Sequence, residues 1–142
     1  MNVLKNMSET DSEFYTVPEL ASELGITPRA IRFYETKGLL SPQRAGNTRI
    51  YTKKDRARLV LILRGKRLGF SLADIREFLD LYEVDTSQVS QIQLLVKKVR
   101  ARLTDLEEQR RELNVVLGEL GDIEQQCVDA LKAKGADVPG ED

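Results

Sequence analysis

The 142-residue chain has no histidine, no tryptophan and a single cysteine. Without histidine there is no Ser-His-Asp triad, no imidazole general base and no His-based zinc site. A lone Cys127 excludes an internal disulfide framework and a four-cysteine iron–sulfur cluster within one chain. No apolar run approaches the roughly 18 residues that a membrane helix needs, and residues 1–6 lack the apolar core of a secretory signal. With 9 Gly and 4 Pro, the sequence is neither collagen-like nor disordered throughout. A chain of this length, 41% apolar and 32% charged, suits one compact domain carrying an appendage. The expectation is a cytoplasmic, non-enzymatic protein with no membrane partner.

What is abundant is positive charge in one place. The formal net charge is only -1, yet residues 29–67 carry 12 Lys/Arg against two acids, Glu35 and Asp55. Residues 1–28 are net -4 and residues 68–142 net -7. Such a block inside a near-neutral chain is the electrostatic footprint of a polyanion, normally a nucleic acid.

Residues 1–13 are polar and acidic without periodicity and read as a tail, with order beginning near Phe14-Tyr15. Thr16 and Glu19 form a capping box, Leu20, Ala21 and Leu24 make an amphipathic helix, and Gly25 stops it. Thr27-Pro28 starts a second helix that runs to about Lys37 and ends at Gly38. The tight turn between them predicts a helix-turn-helix, with Ala21 permitting close approach and Ile31 plugging the gap. Gly46-Asn47 between two short extended segments predicts a β wing bearing Arg44 and Arg49. Thr52 and Asp55 cap a third helix running to Leu68, with Ala57, Val60, Leu61 and Leu68 on its apolar side. Ser71 and Asp74 open a fourth, whose Leu72, Ile75, Phe78, Leu79 and Tyr82 share a face. Residues 14–82 thus read as one domain and 83–88 as a connector.

From Val89 the pattern becomes a heptad. Val89, Val96, Leu103, Arg110 and Leu117 fall at a, and Ile92, Val99, Leu106, Leu113 and Leu120 fall at d. A lone helix cannot bury that stripe, so residues 89–120 predict a coiled-coil homodimer, with Arg110 helping to set register. Packing back on the chain's own domain is the alternative. Gly118 and Gly121 are expected to end this rod, residues 121–134 to form a separate short helix, and residues 135–142 to fray. Cys127 continues the heptad at d, either as a small apolar residue or as a redox or two-subunit thiol site.

The run Thr27-Pro28-Arg29-Ala30-Ile31-Arg32-Phe33-Tyr34-Glu35, followed by Lys37-Gly38-Leu39-Leu40, Arg49-Ile50-Tyr51 and Leu68-Gly69-Phe70-Ser71-Leu72, resembles the winged helix-turn-helix domain of the MerR family of bacterial transcription regulators. The resemblance implies a mainly α fold with a winged helix-turn-helix, a long antiparallel coiled-coil dimerisation helix and a short terminal helix. It also implies a homodimer on a palindromic promoter operator, distorting the DNA for RNA polymerase. The run Leu61 to Arg76, with Glu124 and Cys127, is similar to a short proteobacterial subgroup linked to leucine, isovalerate and fatty-acid breakdown. That implies an acyl-CoA-like effector. Metal-sensing relatives carry a cysteine where this chain has Val89-Ser90-Gln91, so no bound metal and no cofactor is expected, and the effector site is undefined.

Within that frame Arg29 and Arg32 are candidates for base edges or phosphates, because arginine grips guanine bidentately. Thr27 caps its helix and can touch phosphate. Tyr34 either donates to a phosphate, as the matching family position does, or packs in the core, since Phe33 and Tyr34 cannot both point outward. Arg44 and Arg49 are expected on the DNA backbone, Tyr51 as hinge packing or a phosphate donor, and Arg64, Lys66 and Arg67 as flanking phosphate contacts. The rival reading is a coiled-coil adaptor whose basic block binds DNA only incidentally and without sequence preference. No nucleophile–base pair supports an enzyme.

Overall fold

The computed structural model describes residues 14–84 and 87–141, apart from the side chain of Tyr82. The acidic segment 1–13, residues 85–86 of the connector and Asp142 lie outside the described residues. The elements are β1 (Phe14–Tyr15), α1 (Val17–Leu24), α2 (Pro28–Thr36), β2 (Gln43–Ala45), β3 (Thr48–Thr52), α3 (Lys53–Arg67), α4 (Leu72–Val84) and α5 (Val89–Ala133). They divide into two units, one reaching Val96 and the other starting at Lys97. The fold is mainly helical with a small wing sheet, as expected.

In the first unit, local chemistry places the helix starts. Thr16 accepts from Glu19 N while the Glu19 carboxylate accepts from Thr16 N, and Thr52 and Asp55 repeat the pattern at α3. Thr27 Oγ1 accepts from Ala30 N at 3.1 Å ahead of Pro28, and Ser71 with Asp74 caps α4. Gly25 takes φ +68° at the turn between α1 and α2, a left-handed conformation in which a side chain would be strained. Leu20, Ile31, Leu39, Leu59, Ile62, Leu79 and Tyr51 fill the core, with Ala21 between α1 and α2. Gly65 lets α3 and α4 meet: a Cβ there would lie 2.9 Å from Ile75 Cγ1 and Cδ1.

The sheet is antiparallel in the order β1-β3-β2. Phe14 faces Thr52 and Tyr15 faces Tyr51, whereas Gln43, Arg44 and Ala45 face Ile50, Arg49 and Thr48. The pairing of Phe14-Tyr15 as a strand is not foreshadowed by a two-residue segment. The wing turn falls at Gly46-Asn47 with Gly46 at φ +63°.

Three expectations about the helices change. On α3, Leu59 and Ile62 join Ala57 and Leu61 inside, together with Arg58, while Leu68 is exposed beyond the helix end and Val60 is half-buried. The helix α4 runs two residues further than expected, to Val84, shortening the connector. The glycines at 118 and 121 do not end α5, which continues unbroken to Ala133, so the segments 89–120 and 121–134 are one helix. Each glycine costs a helix only about 1 kcal/mol, and no proline stands nearby to break the ladder. After Lys134, Gly135 turns the chain with φ +70°, and Lys132 Nζ lies 4.0 Å from Glu141.

At the start of α5, Leu95 packs against the core and Gln91 is fully buried, its Nε2 donating to Phe78 O at 2.9 Å. Every apolar seam residue from Val89 to Leu120 is instead exposed within the single chain, and so are Ile123 and Cys127. Arg110 is exposed too and pairs with Glu107 one turn earlier.

Candidate nucleic-acid interface

The second helix of the helix-turn-helix, α2, carries the densest set of outward polar groups. Thr27, Arg29 and Arg32 are all exposed on it, displayed from a capped N-terminus whose partial positive charge suits anions. Of its two adjacent rings, Phe33 is the outward one (45% exposed) and Tyr34 the inward one (8%), at 5.5 Å and edge-on to each other. The ring of Tyr34 therefore belongs to the core, which favours the packing alternative for that residue. Lys37 Nζ sits 5.6 Å above the Phe33 ring. Phe33 was absent from the expected site set. It is a large apolar side chain on the exposed face of α2, chemically suited to a thymine methyl.

A cleft of about 290 Å³ opens beside α2, lined by Thr16, Val17 and Pro18 of α1, Pro28 and Arg32 of α2, and Thr48 and Arg49 of the wing. It gathers the N-terminal ends of two helices and two arginines, an arrangement that attracts a phosphate oxygen.

The wing differs from expectation in how its arginines are held. Arg49 Nε donates to Glu35 Oε2 at 2.6 Å, and Arg44 Nη2 lies 3.7 Å from Glu35 Oε1. Glu35 lies near the end of α2, so one carboxylate ties the wing to that helix. Arg49 is half-buried and Arg44 exposed. Tyr51 has 0% exposure, and its hydroxyl is buried without a hydrogen-bond partner among the described residues. It cannot reach a phosphate from there, and of its two expected roles the structure keeps packing. Burial pushes its phenol pKa above the usual 10, with the nearby Glu35 carboxylate adding to the rise and Arg49 opposing it.

Along α3 the basic residues divide. Lys66 and Arg67 are exposed and Arg64 half-buried at its end. Arg58, by contrast, is buried at 8% exposure, donating twice to Leu39 O and pairing with Glu83 at 3.3 Å. Arg56 is tied to Glu23 of α1, with Nε donating at 2.9 Å. The positive block is thus partly structural. Charge counting alone did not separate the two kinds of arginine, although Arg58 stands between Ala57 and Leu59 in the buried part of α3. Among the described residues, no group of three or more His, Cys, Asp or Glu side chains could hold a metal ion, and no helix is long and apolar enough to cross a membrane.

The family model for MerR HTH family regulatory proteins matches residues 15–81, and that for the MerR DNA-binding region matches residues 56–123. The chain is 36% identical to the HTH-type transcriptional regulator ZntR of Escherichia coli over 106 residues, 70% of this chain and 75% of that one. It is 33% identical to the regulator HmrR of Rhizobium leguminosarum, over 68% of this chain and 79% of that one. Among solved structures it is similar to HiNmlR, a MerR family regulator lacking the sensor domain and bound to promoter DNA, with a TM-score of 0.57 and 27% identity over 87% of this chain and 92% of that one. A MerR family regulator from Bacillus cereus superposes with a TM-score of 0.63 at 25% identity, over 80% and 82% of the two chains.

Proposed function

Because the chain belongs to the MerR family of HTH regulatory proteins, and is a DNA-binding transcription regulator rather than an enzyme, we propose that it works in the cytoplasm as a homodimer on a palindromic promoter operator. The observation that carries this reading is the shared exposure of Thr27, Arg29 and Arg32 on capped α2, next to a cleft walled by the wing and by the start of α1. In this reading α2 enters the major groove and the wing follows the adjoining backbone. Arg64, Lys66 and Arg67 add phosphate contacts to one side.

Dimerisation rests on the seam. Ten a and d positions from Val89 to Leu120, nine of them apolar, lie exposed on one helix, and each such side chain is worth about 1.5–3 kcal/mol when fully buried. A second copy running antiparallel covers them and sets two α2 helices against two half-sites. The dimer then bends and untwists the operator, at a cost of about 1–6 kcal/mol offset by backbone contacts, so that RNA polymerase can use the promoter. The proposed signal is a small acyl-CoA-like metabolite, a reading that rests on the similarity of residues 61–76 to regulators of leucine and fatty-acid breakdown. Calorimetry of the purified dimer with a series of acyl-CoAs tests it: saturable heat supports it, and none for any member removes it.

Selection of genomic fragments by the purified protein at about 150 mM salt, where purely electrostatic contacts weaken, tests the operator. Enrichment of an inverted repeat within promoters is the expected result. Weak retention without sequence preference favours the adaptor reading instead.

A further inference from the structure

Within the block of 12 basic residues from 29 to 67, two acids occur. Asp55 is consumed by the cap of α3, accepting from Thr52 N at 2.8 Å. Glu35 caps nothing. Its two oxygens go separately to two wing arginines: Oε2 to Arg49 at 2.6 Å and Oε1 to Arg44 at 3.7 Å. Those arginines face each other directly across the β2–β3 ladder, a like-charge pairing that destabilises a sheet unless an anion sits against it. Both belong to the wing, and Arg49 also lines the cleft suited to a phosphate.

We propose that Glu35 is an internal phosphate mimic that sets the threshold for DNA binding: it pairs with Arg49 and Arg44 when no operator is bound and gives them up when DNA phosphates replace it. The proposal rests on the DNA-binding reading above. A carboxylate presents two acceptor oxygens to a pair of guanidiniums much as a phosphodiester does. Contacts to random DNA must displace it, and gain little, because one anion is exchanged for another. An operator that also engages Arg29 and Arg32 on α2 supplies additional contacts that compensate for the exchange. Glu35 thereby lowers affinity for all duplexes by a similar factor, which leaves random DNA, lacking the α2 contacts, largely unbound while the operator still binds, and it is a positioning residue that acts through the two arginines.

Glu35→Gln keeps the shape and removes the charge. Binding of the full-length protein to a random-sequence duplex is measured by fluorescence anisotropy across a salt series, beside wild type, with far-UV circular dichroism melting to confirm folding. The expected result is several-fold tighter random-duplex binding, and a log–log salt slope steeper by about 1 to 2, since each extra phosphate neutralised contributes about 0.9. Arg49→Gln should then weaken random binding more in the Glu35→Gln background than in wild type. Glu35→Asp, which keeps the charge but shortens its reach, gives an intermediate slope and serves if the glutamine variant does not fold. An unchanged or shallower slope in the folded variants, with wild type binding DNA normally, overturns this proposal alone. Wild type that binds no duplex at low salt overturns it together with the DNA-binding reading.

Discussion

Arg58 donates from both Nε and Nη2 to the carbonyl oxygen of Leu39, each at 3.2 Å. The guanidinium is buried and the carbonyl lies in the segment that leaves α2, so the fork fixes the exit from α2 onto α3. Truncation to Arg58→Ala leaves a buried acceptor unsatisfied and a void beside it, and the expected loss is about 2–4 kcal/mol in urea unfolding. Arg58→Lys recovers less than half, because an ammonium cannot reproduce a planar double donation. Equal stability of the lysine variant and wild type contradicts this account.

Tyr51 carries the opposite prediction. Its hydroxyl is buried without a partner among the described residues, so Tyr51→Phe is expected to be neutral or stabilising by up to about 1 kcal/mol. DNA affinity should not change. The raised phenol pKa adds a pH signature. In the folded state the proton is held more tightly than in the unfolded chain, so unfolding favours ionisation. The stability tied to Tyr51 is complete below pH 10 and is lost as pH climbs through the folded value. Thermal melts above pH 10 should therefore show a steeper decline for wild type than for the phenylalanine variant.

Gly65 sits where helix propensity and packing conflict. Alanine at an exposed helical site normally stabilises relative to glycine, but here its Cβ would meet Ile75 at 2.9 Å. The expected outcome for Gly65→Ala is destabilisation of about 1–3 kcal/mol. Ile75→Ala, which removes both clashing carbons, should make the second substitution far less costly in a double-mutant cycle, and additive losses would contradict the contact.

The seam is tested by Leu106→Glu, at an exposed d position near the middle of α5. If the proposed homodimer forms through this seam, light scattering is expected to show a dimer for wild type and a monomer for the variant. Operator affinity should fall by at least a hundredfold, since a half-site alone loses the second recognition helix. Cooperative melting of residues 14–96 should be retained.

Much of this architecture is legible from short-range chemistry. Thr16, Thr27, Thr52 and Ser71 announce four helix starts because each hydroxyl meets the amide three residues along the same chain, and nothing distant has to be known. Ile31 and Ala21 were likewise readable from spacing. What eluded the sequence depends on partners far along the chain. Arg58 finds Leu39 across 19 residues and Glu35 finds Arg49 across 14, and no periodicity encodes either meeting. Leu68 reads as core by type and spacing, yet it lies just past the last turn of α3, where the chain is already leaving the helix. The glycines of α5 mislead for another reason. They weaken a helix locally, but the uninterrupted series of good formers around them more than offsets that weakness.

The ladder that joins β1 to β3 has a consequence for the cleft beside α2. Thr16 follows β1 directly and opens α1, while Thr48 and Arg49 lie on β3 itself. The α1 and wing sides of the cleft are thus joined through one ladder, in which β1 pairs with Tyr51 and Thr52 while Thr48 and Arg49 lie further along β3, opposite β2. Separating β1 from β3 would therefore move the α1 side of the cleft away from its wing side.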